Sequence, residues 1–131
     1  MAIEFFLPMG RLPSATAQEK GVNRKTGAWY EPTDVKAARA KFMAHLGRHR
    51  PAQPMQGPVR LTVQWCYPAS EKHPAGTWKT TKPDTDNMIK LFKDCMTRCR
   101  FWLDDAQVCS EVNEKYYNDV PGIFVRVEEL A

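Results

Sequence analysis

Two hydrophobic periods alternate along the chain. Ile3, Phe5 and Leu7 occupy every second position, which predicts a strand over residues 2–8 ending at Pro8. Residues 9–27 hold Gly10, Pro13, Ser14, Gly21, Asn23 and Gly27 with little periodicity and are expected to form a polar loop, followed by a short extended piece at Trp29-Tyr30. Val35, Ala38, Phe42 and Leu46 then recur at helical spacing, with Thr33 as the expected N-cap and Gly47 as the stop. Pro51, Pro54, Gly57 and Pro58 mark a connector. Val59, Leu61, Val63 and Trp65 alternate with Arg60, Thr62 and Gln64, the clearest strand pattern in the sequence. Residues 68–82 are polar, and so long a polar stretch is expected to stay unpacked and mobile.

Pro83 disfavours an α conformation at Lys82, so the chain should arrive extended and enter a helix near Asp84 or Asp86. In that helix Asp86 and Lys90 share one face, while Met88, Ile89, Phe92, Cys95, Met96 and Cys99 line the other. The helix should end around Arg98 to Arg100. An apolar segment, Phe101-Trp102-Leu103, leads into a turn at Asp104-Asp105, a strand over 107–117 with imperfect alternation, and a hairpin-like connection at 118–122. Ile123, Val125 and Val127 form the last strand. This order predicts an α+β fold, a small mixed β-sheet of about four strands with two helices packed on one face. At 131 residues the chain fits a single domain, 1–131.

Composition changes this picture little. The protein is 43% hydrophobic and 26% charged, ordinary for a soluble domain. No apolar run or leader pattern suggests a membrane, so a cytoplasmic protein is expected. Cys66, Cys95, Cys99 and Cys109 lack zinc-site spacing and read as buried free thiols of a reducing compartment. The net charge of +4 is mild, but its distribution matters more. Lys36, Arg39, Lys41, Arg48 and Arg50 cluster without an intervening acid, whereas acids gather after residue 83. A basic surface around an acidic site suits a polyanion gripped by its backbone.

Asp84, Asp86, Asp104, Asp105 and Lys90 concentrate the candidate chemistry. Crowded carboxylates repel one another unless a partner compensates, and a hard divalent cation such as Mg²⁺ is the usual one. Such an ion lowers the pKa of a bound water and stabilises charge on a phosphodiester under attack. Aspartates at a helix start or in a turn also serve as plain caps, so each acidic pair has a structural alternative. In the loop before them, His73 is a candidate proton carrier and Trp78, near Lys79 and Lys82, a candidate for stacking on an unpaired base.

The compound motif Asp84-x-Asp86-Asn87-x-x-Lys90, with Asp94 in the same helix and then Phe101-Trp102-Leu103-Asp104-Asp105-Ala106-Gln107-Val108, strongly resembles the RusA family of Holliday junction resolvases. The resemblance covers roughly residues 82–115. It implies a RusA-like fold and catalytic residues Asp84, Asp86, Lys90 and Asp105, with the three aspartates as metal ligands for Mg²⁺ or, in its place, Mn²⁺. Lys79, Lys82 and Lys115 become the expected DNA contacts. Where some relatives carry a dense arginine run before the first aspartate, this chain has Trp78-Lys79-Thr80-Thr81-Lys82-Pro83. The implied enzyme is a structure-selective endonuclease that cuts four-way branched DNA by paired symmetric nicks. A two-fold substrate is matched most simply by a homodimer. The competing expectation is a module that binds branched DNA without cutting it, although carboxylates without a cation would repel phosphate. A nucleotide cofactor is not expected, because no glycine-rich phosphate loop appears.

Overall fold

The computed structural model describes residues 1–14, 21–22 and 26–131. Its elements are β1 (Ala2–Pro8), β2 (Gly21–Val22), β3 (Trp29–Tyr30), α1 (Thr33–Leu46), β4 (Val59–Pro68), α2 (Thr85–Arg98), β5 (Val108–Asn118) and β6 (Gly122–Glu129). A four-stranded sheet runs in the order β1-β6-β4-β5, and β2 pairs with β3 separately. β6 lies antiparallel to both β1 and β4, whereas β4 and β5 are parallel. The mixed sheet follows from the connections. The expected hairpin at 118–122 does not form: the short link returns β5 to β6 past β4, which lies between them, and β4 reaches β5 only through α2, the crossover that parallel neighbours need.

Alternation along β4 sends Val59, Leu61, Val63 and Trp65 into the core and leaves Arg60, Thr62 and Gln64 on the other face. Ile123, Val125 and Val127 of β6 bury in the same cluster, as do Phe5 and Leu7 of β1. The helices close it with Val35, Ala38, Phe42 and Leu46 from α1 and Met88, Ile89, Leu91, Phe92, Cys95 and Met96 from α2. Phe92 sits at the junction. Its ring meets Phe42 edge-on at 5.1 Å and Trp65 at 5.3 Å, a geometry the aromatic quadrupoles favour. The α+β expectation, with a small mixed sheet and two helices, therefore holds. Among the described residues no helix is long and apolar enough to cross a membrane.

Several local expectations need correction. Thr33 is the first residue of α1 rather than its cap; Pro32 holds the cap position, and no side chain caps the helix. Gly47 does end α1, but at φ −58°, so the stop is a tightened last turn and not a left-handed glycine. The connector at 51–58 contributes Met55 to the core, where its N–H donates to the Phe101 carbonyl at 2.9 Å. The largest difference lies at 68–82, where polar composition suggested a free loop. Gly76 N–H donates to the Tyr117 carbonyl, Tyr117 N–H to Thr77 and Lys79 N–H to Lys115, at 2.8, 2.9 and 3.2 Å. Backbone bonding does not depend on side-chain polarity, so a polar segment covers a strand edge as well as an apolar one. Cys66, Cys95 and Cys99 are buried free thiols as expected, but Cys109 is exposed. Burial pushes the Cys95 thiol up to about 12. Residues 15–20 and 23–25, part of the expected first loop with Lys25, lie outside the described residues.

Gly122 opens β6 at φ +153°, where it pairs with Pro8. A methyl at this position would press on the Leu7 carbonyl and stand 2.6 Å from Cζ of Phe6. Gly122→Ala should therefore lower the unfolding free energy by about 2–3 kcal/mol in urea titration. An unchanged midpoint would show that β1 yields to the extra atom.

Candidate active site

The polypeptide delivers Asp84 to the start of α2 through a cis Lys82-Pro83 peptide. Asp84 holds the N-cap position, yet its side chain makes no capping hydrogen bond. Asp86 follows in the first turn and Lys90 one turn later, at the solvent-facing side of the helix. Among the described residues, none of the three has a side-chain hydrogen bond or ion pair, although Asp86 and Lys90 are four apart. The capping role that would explain Asp84 structurally is thus not taken up. Beside them, the Asn87 Oδ1 atom is buried without a partner. Such an oxygen is normally satisfied, and here, on the residue that follows Asp86, it is left without a donor among the described residues.

The position of this corner is set by β5. Asn113 donates to the Thr85 carbonyl at 2.9 Å, and its own Oδ1 accepts from the Trp65 indole at 2.6 Å. Lys115 donates to the Pro83 carbonyl at 2.7 Å and also to the Thr81 carbonyl. Two side chains from one strand therefore fix the chain on both sides of Asp84. Lys115 gives two of its three N–H donors to backbone carbonyls of the loop, so its visible task is to hold the loop. Asn113 was missed from sequence. The only signal was the broken alternation of that strand, where an amide takes an inward position.

Asp104 and Asp105 lie at the opposite end of α2. Asp104 is a cap: its Oδ1 accepts from Ala106 N–H at 2.8 Å, while the Gln107 side chain accepts from Asp104 N–H at 3.0 Å. The structural alternative holds for Asp104. Asp105 instead accepts from the Thr97 hydroxyl in the last turn of α2. That hydroxyl also accepts the Trp102 indole N–H at 2.6 Å. Thr85 and Thr97 are separated by about 18 Å of helix, so Asp84 and Asp86 do not meet Asp105 within one chain. Among the described residues no group of three or more His, Cys, Asp or Glu side chains surrounds a common metal position.

The other sequence candidates distribute as follows. Lys79 lies with Nζ 4.8 Å from the centre of the Tyr67 ring and donates to Thr81 Oγ1 at 2.8 Å. Lys82 is exposed and has no partner among the described residues. His73 stacks on Tyr117 at 4.4 Å, whereas Trp78 is 66% exposed. Asp94 is ion-paired to Arg98 at 3.2 Å and to Arg39, which also binds Glu31 at 2.8 Å. Burial works against the charged Arg39 guanidinium, but hydrogen bonds to Glu31 and Asp94 outweigh it and raise its pKa. Asp94 and Arg39 thus tie α2 to α1. The donor set at the start of α2 fits a hard cation, which takes oxygen ligands and retains waters. Two carboxylates of one chain form only part of the ligand set that the sequence motif implied.

A family model described as Endodeoxyribonuclease RusA matches residues 12–128. The chain is similar to a protein of Lactococcus phage r1t called crossover junction endodeoxyribonuclease rusA, at 28% identity over 134 residues, covering 99% of this chain and 100% of that one. It is also similar to the uncharacterized protein YqaN of Bacillus subtilis (strain 168), at 32% identity over 95 residues, covering 64% of this chain and 66% of that one.

Thr97 links the core to Asp105, and removing its hydroxyl leaves a fully buried indole N–H without an acceptor. Thr97→Val should cost about 1–3 kcal/mol in chemical denaturation. Stability equal to that of the native protein would mean the indole is not held by this hydroxyl.

Proposed function

The chain belongs to the RusA family of endodeoxyribonucleases, and on that premise we propose that it resolves Holliday junctions by paired, cation-dependent nicks in four-way DNA. The carrying observation is that Asp84 and Asp86, on a corner clamped by Asn113 and Lys115, have no partner among the described residues. Unpaired carboxylates facing a phosphate backbone disfavour a module that only binds. Mg²⁺ is the expected ion, with Mn²⁺ as its substitute. When bound, such an ion activates water and offsets charge on the phosphate. Asp84 and Asp86 hold it, with Asn87 Oδ1 as a neighbouring acceptor. Lys90, one turn along and without a partner among the described residues, meets the charge developing on the scissile phosphate. Lys82 and Lys79 flank the entry to this corner and serve as phosphate contacts, while Lys115 acts by fixing the loop that carries them.

Asp105 enters from a second copy of the chain. The 18 Å or so of helix between its anchor, Thr97, and Thr85 argues against its joining Asp84 in the same chain. A homodimer with a two-fold axis across the middle of α2 brings opposite ends of two such helices together, and it matches the symmetry of a four-way junction. The buried free thiols Cys66, Cys95 and Cys99 support a reducing compartment, the cytoplasm.

On a synthetic four-way junction with Mg²⁺, Asp86→Asn and Asp105→Asn should each abolish nicking while junction binding survives. Mixing the two inactive variants restores one native site in each mixed dimer, which amounts to about a quarter of native nicking after random exchange. Cleavage by either variant alone would remove that residue from the site. A mixture as inactive as its components would place Asp105 with the acids of its own chain.

A further inference from the structure

The far end of α2 is closed by an arginine where glycine is the ordinary residue. Arg100 N–H donates to the Thr97 carbonyl at 3.0 Å and Phe101 N–H to the Met96 carbonyl at 3.1 Å, the paired bonds that end a helix through a left-handed residue. That residue is Arg100 at φ +66°, the one non-glycine with positive φ among the described residues. Glycine takes this conformation without steric cost, whereas a side chain strains it. Closing the helix therefore does not call for an arginine. A cation favours a helix C-terminus, but Arg98 already supplies one in the same turn.

Arg50 faces the same space. The two arginines flank a groove of about 420 Å³ whose other lining residues are Pro51, Ala52 and Pro54, with no acid among them. Among the described residues neither side chain has a hydrogen bond or an ion pair. The neighbouring cations are occupied: Arg39 binds Glu31 and Asp94, Arg98 binds Asp94, and Lys41 donates to the Arg11 carbonyl at 2.7 Å. Packing fixes the backbone on both sides of the groove. The His49 ring stacks on Phe5 at 4.5 Å, Phe5 meets Phe101 at 5.7 Å, and Met55 N–H donates to the Phe101 carbonyl. Two guanidinium groups held at one groove repel each other unless an anion lies between them.

We propose that Arg50 and Arg100 form a phosphate clamp for a DNA strand, gripping a phosphodiester other than the one that is cut. The planar guanidinium suits this ligand because its paired N–H groups match two phosphate oxygens. The inference rests on the nuclease reading above and adds a contact away from the corner of Asp84, Asp86 and Lys90. Thr97, whose carbonyl accepts from Arg100 N–H, holds Asp105 through its hydroxyl. The clamp and Asp105 thus share one end of α2, and a strand cut at Asp105 is held a short way from the cut. Such a contact sets the register of the strand and carries no base information.

Binding of a four-way junction in the presence of a chelator, where nothing is cut, tests the clamp across a salt series. Arg50→Gln and Arg100→Gln should each flatten the plot of log affinity against log salt by about 0.9 per chain bound, and the double variant by about twice that. Arg100→Gly should flatten it equally while raising the urea midpoint, because the left-handed position is relieved. Replacing single phosphates with neutral methylphosphonates should weaken native binding at one position in each strand held, and that replacement should not affect the double variant. Native slopes in the folded variants overturn the inference. So does a lower urea midpoint for Arg100→Gly at native slope, which would make Arg100 a cation serving the helix end. Flattened slopes with no sensitive phosphate position would mean a diffuse basic field and would also overturn the clamp. Junction nicking by a chain whose arginine variants keep the native slope leaves the nuclease reading standing without the clamp, whereas a native chain that binds no four-way junction removes both.

Discussion

The length of α2 is the constraint on which everything else depends. The helix, 14 residues long, has an acidic start, and the Thr97 hydroxyl that holds Asp105 lies in its last turn. One end offers two carboxylates with nothing among the described residues to neutralise them, and the other holds the third. No side-chain rearrangement spans such a gap, because a helix does not shorten. On the proposed reading of these residues, one chain therefore supplies separate parts of an ion site, and symmetry is the simplest means of joining them. The same helix, buried through Met88, Ile89, Leu91, Phe92, Cys95 and Met96, is fixed in the core, so the separation is as stable as the fold itself.

Around that helix the polar residues divide into those that build and those that are left free. Asn113 and Lys115 spend their hydrogen bonds on the backbone flanking Asp84. Asp104 and Gln107 close the turn before β5, and Gln107 reaches across to the Met55 and Gly57 carbonyls at 2.9 and 3.0 Å. Arg39 gathers Glu31 and Asp94. Against this background of satisfied groups, the side chains of Asp84, Asp86 and Lys90 and the oxygen of Asn87, without partners among the described residues, stand out.

The sequence made the elements legible wherever one face of a strand or helix had to be buried. Alternation in β4 and β6 and the apolar stripe of α2 follow directly from that requirement, and the mixed sheet follows from their order. It failed where backbone hydrogen bonding decides. The segment at 76–79 carries no hydrophobic period because its contribution is made by N–H and C=O groups. Thr33 resembles a cap by residue type, but the cap position is one residue earlier. The motif marked Asp84, Asp86, Lys90 and Asp105 as candidates, and local capping geometry separates Asp104, a cap, from Asp84, whose side chain caps nothing. Convergence was not legible, because a motif records spacing along the chain and not the end of the helix at which a residue is held. Nor were the bonds of Lys115 to the Thr81 and Pro83 carbonyls, since it was expected only as a DNA contact.

The central claim, that one chain holds only part of the ion site, is tested most directly by titrating Mn²⁺ against the protein at a series of chain concentrations and reading free ion by electron paramagnetic resonance. If two copies form the site, ion binding and dimerisation are linked. The apparent affinity then rises with chain concentration and is lost on dilution to monomer. An affinity independent of concentration, retained in a demonstrated monomer, would contradict the account.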